Sequence, residues 1–314
     1  MQKFTTPQKA LIQRLFLALF AMLIAGFARA GPVEDANAAY HRKDYAEVLR
    51  IVKPPAIKGE AWAQMMIADA YLKGQGVLQD YAEAVKWYKL AAAQGNAVAQ
   101  NNLGHRYRNG QGVVQDHAEA VKWYSLAAEQ GYSSAQGSLG YVYERGEGVV
   151  KDFLEAVKWY KLAAEQADTV SQLNLGDMYL DGKGVAQDYA EAVKWYRLAA
   201  QLGNVYAQLR LGRMYAYGRD VVQDYAEAVK WYRLGAQQGD DIAQNSLAFM
   251  YEYGRGVVQN YVKAHSWYNL SAVSGNAMAI ENRDRVAKRM TPQQIADAQK
   301  LARDCQARQF KGCD

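Results

Sequence analysis

Cysteine is almost absent from this 314-residue sequence. Cys305 and Cys313 are the only two, both near the end, too sparse for a zinc site and wrongly spaced for a redox Cys-x-x-Cys motif. Histidine is scarce as well. His41, His105, His117 and His265 are scattered, and no His-Glu-x-x-His pair occurs. Ser-x-x-Lys and Gly-x-Ser-x-Gly are missing, so the common serine-nucleophile signatures are excluded. Beyond residue 28 no segment is apolar enough to span a bilayer, which takes about 20 residues. These absences argue against an enzyme, a metalloprotein or a polytopic membrane protein, and imply no cofactor.

Excess charge is also lacking once the start of the chain is set apart. Lys3, Lys9 and Arg14 precede an apolar stretch from Leu15 to Ala28, and Ala28-Arg29-Ala30 places small residues where a signal peptidase reads. Residues 1–30 therefore read as a cleaved signal peptide, the alternative being a retained anchor, and the expected location is periplasmic or secreted. The chain has 37 basic and 32 acidic residues; removing Lys3, Lys9, Arg14 and Arg29 leaves 33 against 32, a net of +1. No electrostatic footprint for nucleic acid remains. In an exported chain the close pair Cys305 and Cys313 favours a disulfide over two unrelated thiols. Eight residues of helix would span about 12 Å, too far to bridge. The last helix must then end between the two, with Gly312 helping the tail to turn back.

What is abundant is repetition. Trp87, Trp123, Trp159, Trp195, Trp231 and Trp267 are each 36 positions apart. Around them Asp80-Tyr-Ala-Glu-Ala-Val-Lys-Trp-Tyr88 recurs as Asp188–Tyr196 and Asp224–Tyr232. A period of roughly 20–50 residues marks stacked supersecondary units. The units are Gly59–Gln94, Gly95–Gln130, Gly131–Gln166, Ala167–Leu202, Gly203–Gln238 and Gly239–Ser274, without insertions. A shorter helix pair in 31–58 and further helices in 275–314, with the cysteine pair, close the ends as caps. The expected fold is all-α, built from antiparallel helix pairs in 36-residue repeats.

Each unit divides in two. In the first half Ala99, Leu103 and Tyr107 lie four apart and share one helix face. Gly104, repeated as Gly140, Gly176 and Gly212 and replaced by Ala68 and Ala248, implies close helix approach. The following loop carries paired glycines, Gly110 and Gly112 in the second unit. Without a preceding strand or a Lys-Ser/Thr this is a left-handed helix cap, not a phosphate cradle. Asp220 takes the second glycine's place in the fifth unit, so that loop is expected to be strained or differently shaped. The second half opens with Asp80 and Glu83, repeated in four further units, which reads as a reciprocal capping box rather than acid–base machinery. Ala84, Trp87, Tyr88 and Ala91 then form one apolar stripe, expected to pack between helices.

Ala-Gln-x-x-Leu-Gly-x-x-Tyr, the Gly-x-Gly-Val loop and Asp-Tyr-x-x-Ala-x-x-Trp-Tyr-x-x-Ala-Ala-x-x-Gly resemble the Sel-one-like repeats, relatives of the tetratricopeptide family, over Gly59 to Ser274. The resemblance implies a right-handed α-solenoid with a concave face and a role as scaffold or adaptor for a protein or peptide. It places the variable positions of the first helices on that face. The aromatic and arginine side chains there are the expected anchors: Tyr141, Arg145, Tyr206, Arg213, Tyr217, Phe249 and Tyr253, with His105 as a further groove residue. Cysteine-rich exported members of the family bind or slowly hydrolyse β-lactams and carry a disulfide in each repeat. This chain has no cysteine in 59–274, and a cell-wall-directed or β-lactam-binding role stands as the alternative.

Overall fold

A computed structural model describes residues 31–219 and 221–313; the signal-peptide reading and the expectation for Asp220 lie outside the described residues. Sixteen helices and no strand occur among the described residues. The first two are α1 (Pro32–His41) and α2 (Tyr45–Ile57). The repeats supply α3 (Ala61–Lys73) and α4 (Tyr81–Ala93), α5 (Ala97–Asn109) and α6 (His117–Glu129), then α7 (Ser133–Arg145) and α8 (Phe153–Glu165). They continue with α9 (Thr169–Asp181) and α10 (Tyr189–Gln201), α11 (Val205–Tyr217) and α12 (Tyr225–Gln237), α13 (Asp241–Tyr253) and α14 (Tyr261–Val273). The last two are α15 (Ala277–Ala287) and α16 (Pro292–Ala307). Contacts divide the chain into two compact units, one ending at Asp116 and the other beginning at His117. Inside each unit a second helix packs on its own first helix and on the first helix of the next repeat.

The helix boundaries follow from capping. Asp80 accepts hydrogen bonds from the Ala82 and Glu83 N–H groups at 2.9 and 3.0 Å, and Asp188 and Asp224 repeat this. Only half of the expected capping box forms. The Asp80 N–H donates instead to the Tyr71 carbonyl at 2.9 Å, tying the second helix to the first. Glu83 is thereby left to pair with Lys86 one turn on. A reciprocal box is present at Thr291 and Gln294, which opens α16.

Both glycine readings are met. The second loop glycine serves more than the turn. At Gly184, φ +70°, a Cβ would lie 2.2 Å from the Phe153 carbonyl oxygen of the preceding repeat. The loop therefore needs glycine for backbone contact between repeats as well as for its left-handed torsion. Mid-helix Gly176 faces the Tyr196 ring, 2.5 Å from where its Cβ would stand. The residue that fills this gap is the tyrosine beside each tryptophan. Tyr88, Tyr124, Tyr160, Tyr196 and Tyr268 are wholly buried. The tryptophans expected to pack between helices are covered unequally: Trp87, Trp123 and Trp159 are half-buried, and Trp195, Trp231 and Trp267 are buried.

A buried glutamine stitches neighbouring repeats. The Gln100, Gln172 and Gln208 side-chain amides donate to the Ala92, Ala164 and Ala200 carbonyls, the last turn of the previous second helix, at 3.1, 3.0 and 3.0 Å. The glutamine oxygen accepts in turn from a second glutamine, as in Gln166 to Gln136 and Gln238 to Gln208, at 2.8 and 3.0 Å. Leu202 and Ser274 replace that second glutamine in the fourth and sixth repeats, and there Gln172 Oε1 and Gln244 Oε1 are buried without a partner.

The carboxyl-terminal end departs from the repeat plan. Helix α15 takes the place of a first helix against α14, but α16 also packs against α14. It ends at Ala307, and the chain turns back through Gly312 at φ +62°. Cys305 and Cys313 are thus brought to a Cα–Cα distance of 5.2 Å with their sulfur atoms at bonding distance. Fully buried Glu252 accepts from Arg285 at 2.7 Å and from the Tyr268 hydroxyl at 2.8 Å, which fixes α13, α14 and α15 together.

Candidate protein-interaction face

The first helices bury the Ala, Gln, Leu and Gly positions against the second helices and leave the variable positions outward. Some of those positions are structural. Tyr160 donates to Glu144 at 2.8 Å, and Tyr196 donates to Asp177 at 2.5 Å. Burial, then the carboxylate, pushes both phenols far above the ordinary tyrosine range. Tyr232 has no carboxylate at either corresponding position, where Arg213 and Ala216 stand.

The residues expected from sequence are distributed as follows. His105, in the first unit, is half-buried on α5; burial, then Arg106 and Arg108, pushes its imidazole down to about 4, so it is neutral at physiological pH. In the second unit Tyr141 is half-buried and Arg145 is exposed on α7, 3.7 Å from Glu147. Tyr206 and Tyr217 stand 70% and 68% exposed on α11, with Arg213 exposed one turn before Tyr217. Eleven helical steps put the two tyrosines about 16 Å apart along the axis. On α13 Phe249 and Tyr253 are in ring contact at 4.5 Å between centroids. Phe249 also packs on the core beneath, so it is less a free surface group than Tyr217.

Sequence reasoning missed Arg255. It sits between Gly254 and Gly256, and its guanidinium lies 5.2 Å from the Phe249 ring centre, 5.8 Å from Tyr253 and 5.4 Å from Tyr225. One cation over three rings makes a compact amphipathic patch at the end of α13. The only signal was an arginine in a loop position filled by Gln75, Gln111, Glu147 and Lys183 in the first four repeats and shared with Arg219 of the fifth.

In the first unit a cleft of about 250 Å³ is lined by Tyr40, Tyr45, Met65, Met66 and Asp69. Lys73, its side chain 46% exposed, stands beside the cleft, 5.9 Å from the Tyr40 ring centre and 3.9 Å from Asp69. No group of three or more potential metal ligands occurs among the described residues, and none of their helices is long and apolar enough to cross a membrane.

The Sel1 repeat model matches residues 63–96, 97–132, 133–168, 169–204, 205–240 and 241–276, in phase with the helix pairs. The chain belongs to the Sel1 repeat family. A Sel1 repeat protein from Oxalobacter formigenes is similar in structure, with TM-score 0.71 and 37% identity over 77% of this chain and 99% of that one. A protective antigen of uropathogenic Escherichia coli with an SLR fold matches at TM-score 0.47 and 27% identity, covering 85% and 81% of the two chains. An immunity protein from Pseudomonas aeruginosa matches at TM-score 0.46 and 22% identity, covering 68% and 81%. No curated protein matches the chain. Sel1 repeat proteins are in general non-enzymatic scaffolds that mediate protein–protein interaction, and this Sel1 chain has the fold for that role.

Proposed function

We propose that this Sel1 repeat protein is an exported scaffold that binds a protein or an extended peptide along the outward side of its first helices, the face that the family fold makes concave. The observation that carries this is the exposure of Tyr206 and Tyr217 on α11, beside Arg213. Exposed tyrosine and arginine side chains are the usual energetic anchors of interfaces. The Arg255 patch of Phe249, Tyr253 and Tyr225 extends the same chemistry to the next repeat. Export rests on the Leu15–Ala28 segment and its small residues, and the placement of Cys305 beside Cys313 fits an oxidising compartment.

Capture from an envelope extract tests the reading. The wild-type protein should retain a defined partner, and Tyr206→Ala with Tyr217→Ala should lose it at unchanged helicity and melting temperature, since both rings are exposed. Undiminished retention by the double variant would refute this face. An intact residue 1 on protein recovered from the envelope would refute processing.

A further inference from the structure

The second helices carry a surface of their own. At one position of each, the second unit places a leucine: Leu126, Leu162, Leu198, Leu234 and Leu270. The first four are 45, 45, 38 and 38% exposed, but Leu270 is 4% exposed. Their neighbours follow the same order, with Trp123 and Trp159 half-buried and Trp267 the most completely covered tryptophan. The cause is α16. Helix α14 packs on its own first helix and on the next one, as the other second helices do, but it alone is also covered by α16. That helix buries Ala298, Ala302 and Cys305, with Ile295 and Leu301 half-buried, a stripe of small and aliphatic side chains.

The covered surface continues into open hollows. Past the end of α16, Phe310 sits 3.0 Å from where a Gly239 Cβ would stand. Lys311 reaches the rim of a hollow of about 520 Å³ lined by Trp231, Leu234, Gln201 and Gly203. The next, of about 380 Å³, is lined by Trp195, Leu198, Leu202 and Glu165. Lysines border the row, but Lys158, Lys194 and Lys230 are each paired with Glu155, Glu191 and Glu227 one turn away. These pairs carry no net charge, and Lys311 and Glu165 on the rims are of opposite sign, so recognition there is mainly apolar.

We propose that the exposed side of α8, α10 and α12 is a second docking surface, and that its occupant is an amphipathic helix of a partner protein with a stripe of small and aliphatic side chains. The chain's own α16 shows what the surface accepts: it seats on the sixth copy of the position that Leu198 and Leu234 leave open. A helix laid into such a row excludes water from the leucines and tryptophans without a charge partner. The surface is independent of the tyrosines on α11, so it goes beyond the interaction face proposed above.

The probe is a labelled peptide of residues 290–313 with Cys305 and Cys313 bridged. A lactam joins Lys300 and Asp304, both exposed and four residues apart, to hold it helical. Titrated with the full protein, it should give saturable anisotropy. Leu198→Glu with Leu234→Glu should weaken binding about tenfold or more, the scale of a lost interface anchor, at unchanged melting temperature. Tyr206→Ala with Tyr217→Ala should bind the peptide as wild type does, so failure here is distinguishable from failure of the first face. Raising salt from about 0.1 M to about 1 M should weaken binding far less than the leucine substitutions do, because the contacts proposed are apolar. Absence of saturation would overturn the proposal. Equal binding by the leucine variant would also overturn it, since the peptide would then be exchanging with α16 at Leu270. Self-association of the wild-type protein that the leucine variant abolishes would overturn it too, reassigning the surface to a second copy of the chain.

Discussion

Leu202→Gln should make the protein more stable. Gln172 lies buried, and its amide N–H donates to the Ala164 carbonyl at 3.0 Å, but its Oε1 has no partner. In the first, third and fifth repeats the equivalent oxygen accepts from Gln94, Gln166 or Gln238 at 2.8, 2.8 and 3.0 Å. The fourth repeat has Leu202 at that position, 56% exposed. A buried acceptor left unsatisfied costs about 1–3 kcal/mol, and a new neutral hydrogen bond nets about 0.5–1.5 kcal/mol. Against this stands the leucine's partial burial. Less than half of its area is covered, and the glutamine stem keeps part of that contact, a loss of about 0.5 kcal/mol. The net expectation is a gain of about 1 kcal/mol, or a rise of about 2–4 °C in melting temperature for a chain of this size class. Thermal and urea melts followed by circular dichroism read it directly. The gain should vanish in a Gln172→Leu background, where no acceptor remains. A loss of stability, or the same gain without Gln172, would refute the reasoning.

Three further outcomes follow from the same structure. Ala167 holds φ +64° where the other repeats place glycine, so Ala167→Gly should raise stability by about 1 kcal/mol in the same melts; a decrease would show that the turn does not carry this strain. Tyr160→Ala should cost about 3–5 kcal/mol, because the ring is wholly buried against Gly140, and half-buried Trp159→Ala should cost clearly less; the reverse order in urea denaturation would contradict the packing. His105 is held neutral with its pKa near 4, so protons bind the unfolded chain before the folded one: stability should be full above about pH 7 and fall as pH drops from about 6.5 towards 4, by up to about 3 kcal/mol. His105→Gln should remove that part of the pH dependence, and an unchanged difference between pH 7 and pH 4 would refute the burial argument.

Much of the fold was legible because its signals are local. The 36-residue spacing of Trp87 to Trp267, the Asp80-type caps and the paired loop glycines specify helix starts, stops and turns through their own backbone needs. What escaped depends on neighbours. Tyr88 and Trp87 stand at adjacent positions of one apolar stripe, and the tyrosine's full burial comes from the small residue opposite it on another helix, as Gly176 faces Tyr196. The return half of the capping box failed because the Asp80 N–H finds the Tyr71 carbonyl, an atom from another helix. The seat of α16 on α14 rather than beside α15 is a choice between surfaces that periodicity does not encode. On the proposed face, Tyr206 and Tyr217 are exposed, in agreement with the helical phase read from sequence. Arg255 was missed because a loop arginine joins Phe249 and Tyr253 only once the chain turns at Gly254.

The most direct test of the interaction face is site-specific photo-crosslinking in the envelope. A benzoylphenylalanine placed at Tyr217 or Tyr253 should yield one defined adduct, the same partner from both sites, while the same group at Leu78, exposed in a loop of the first unit, should yield none. An adduct from Leu78 with none from Tyr217 or Tyr253 would contradict binding along the first helices.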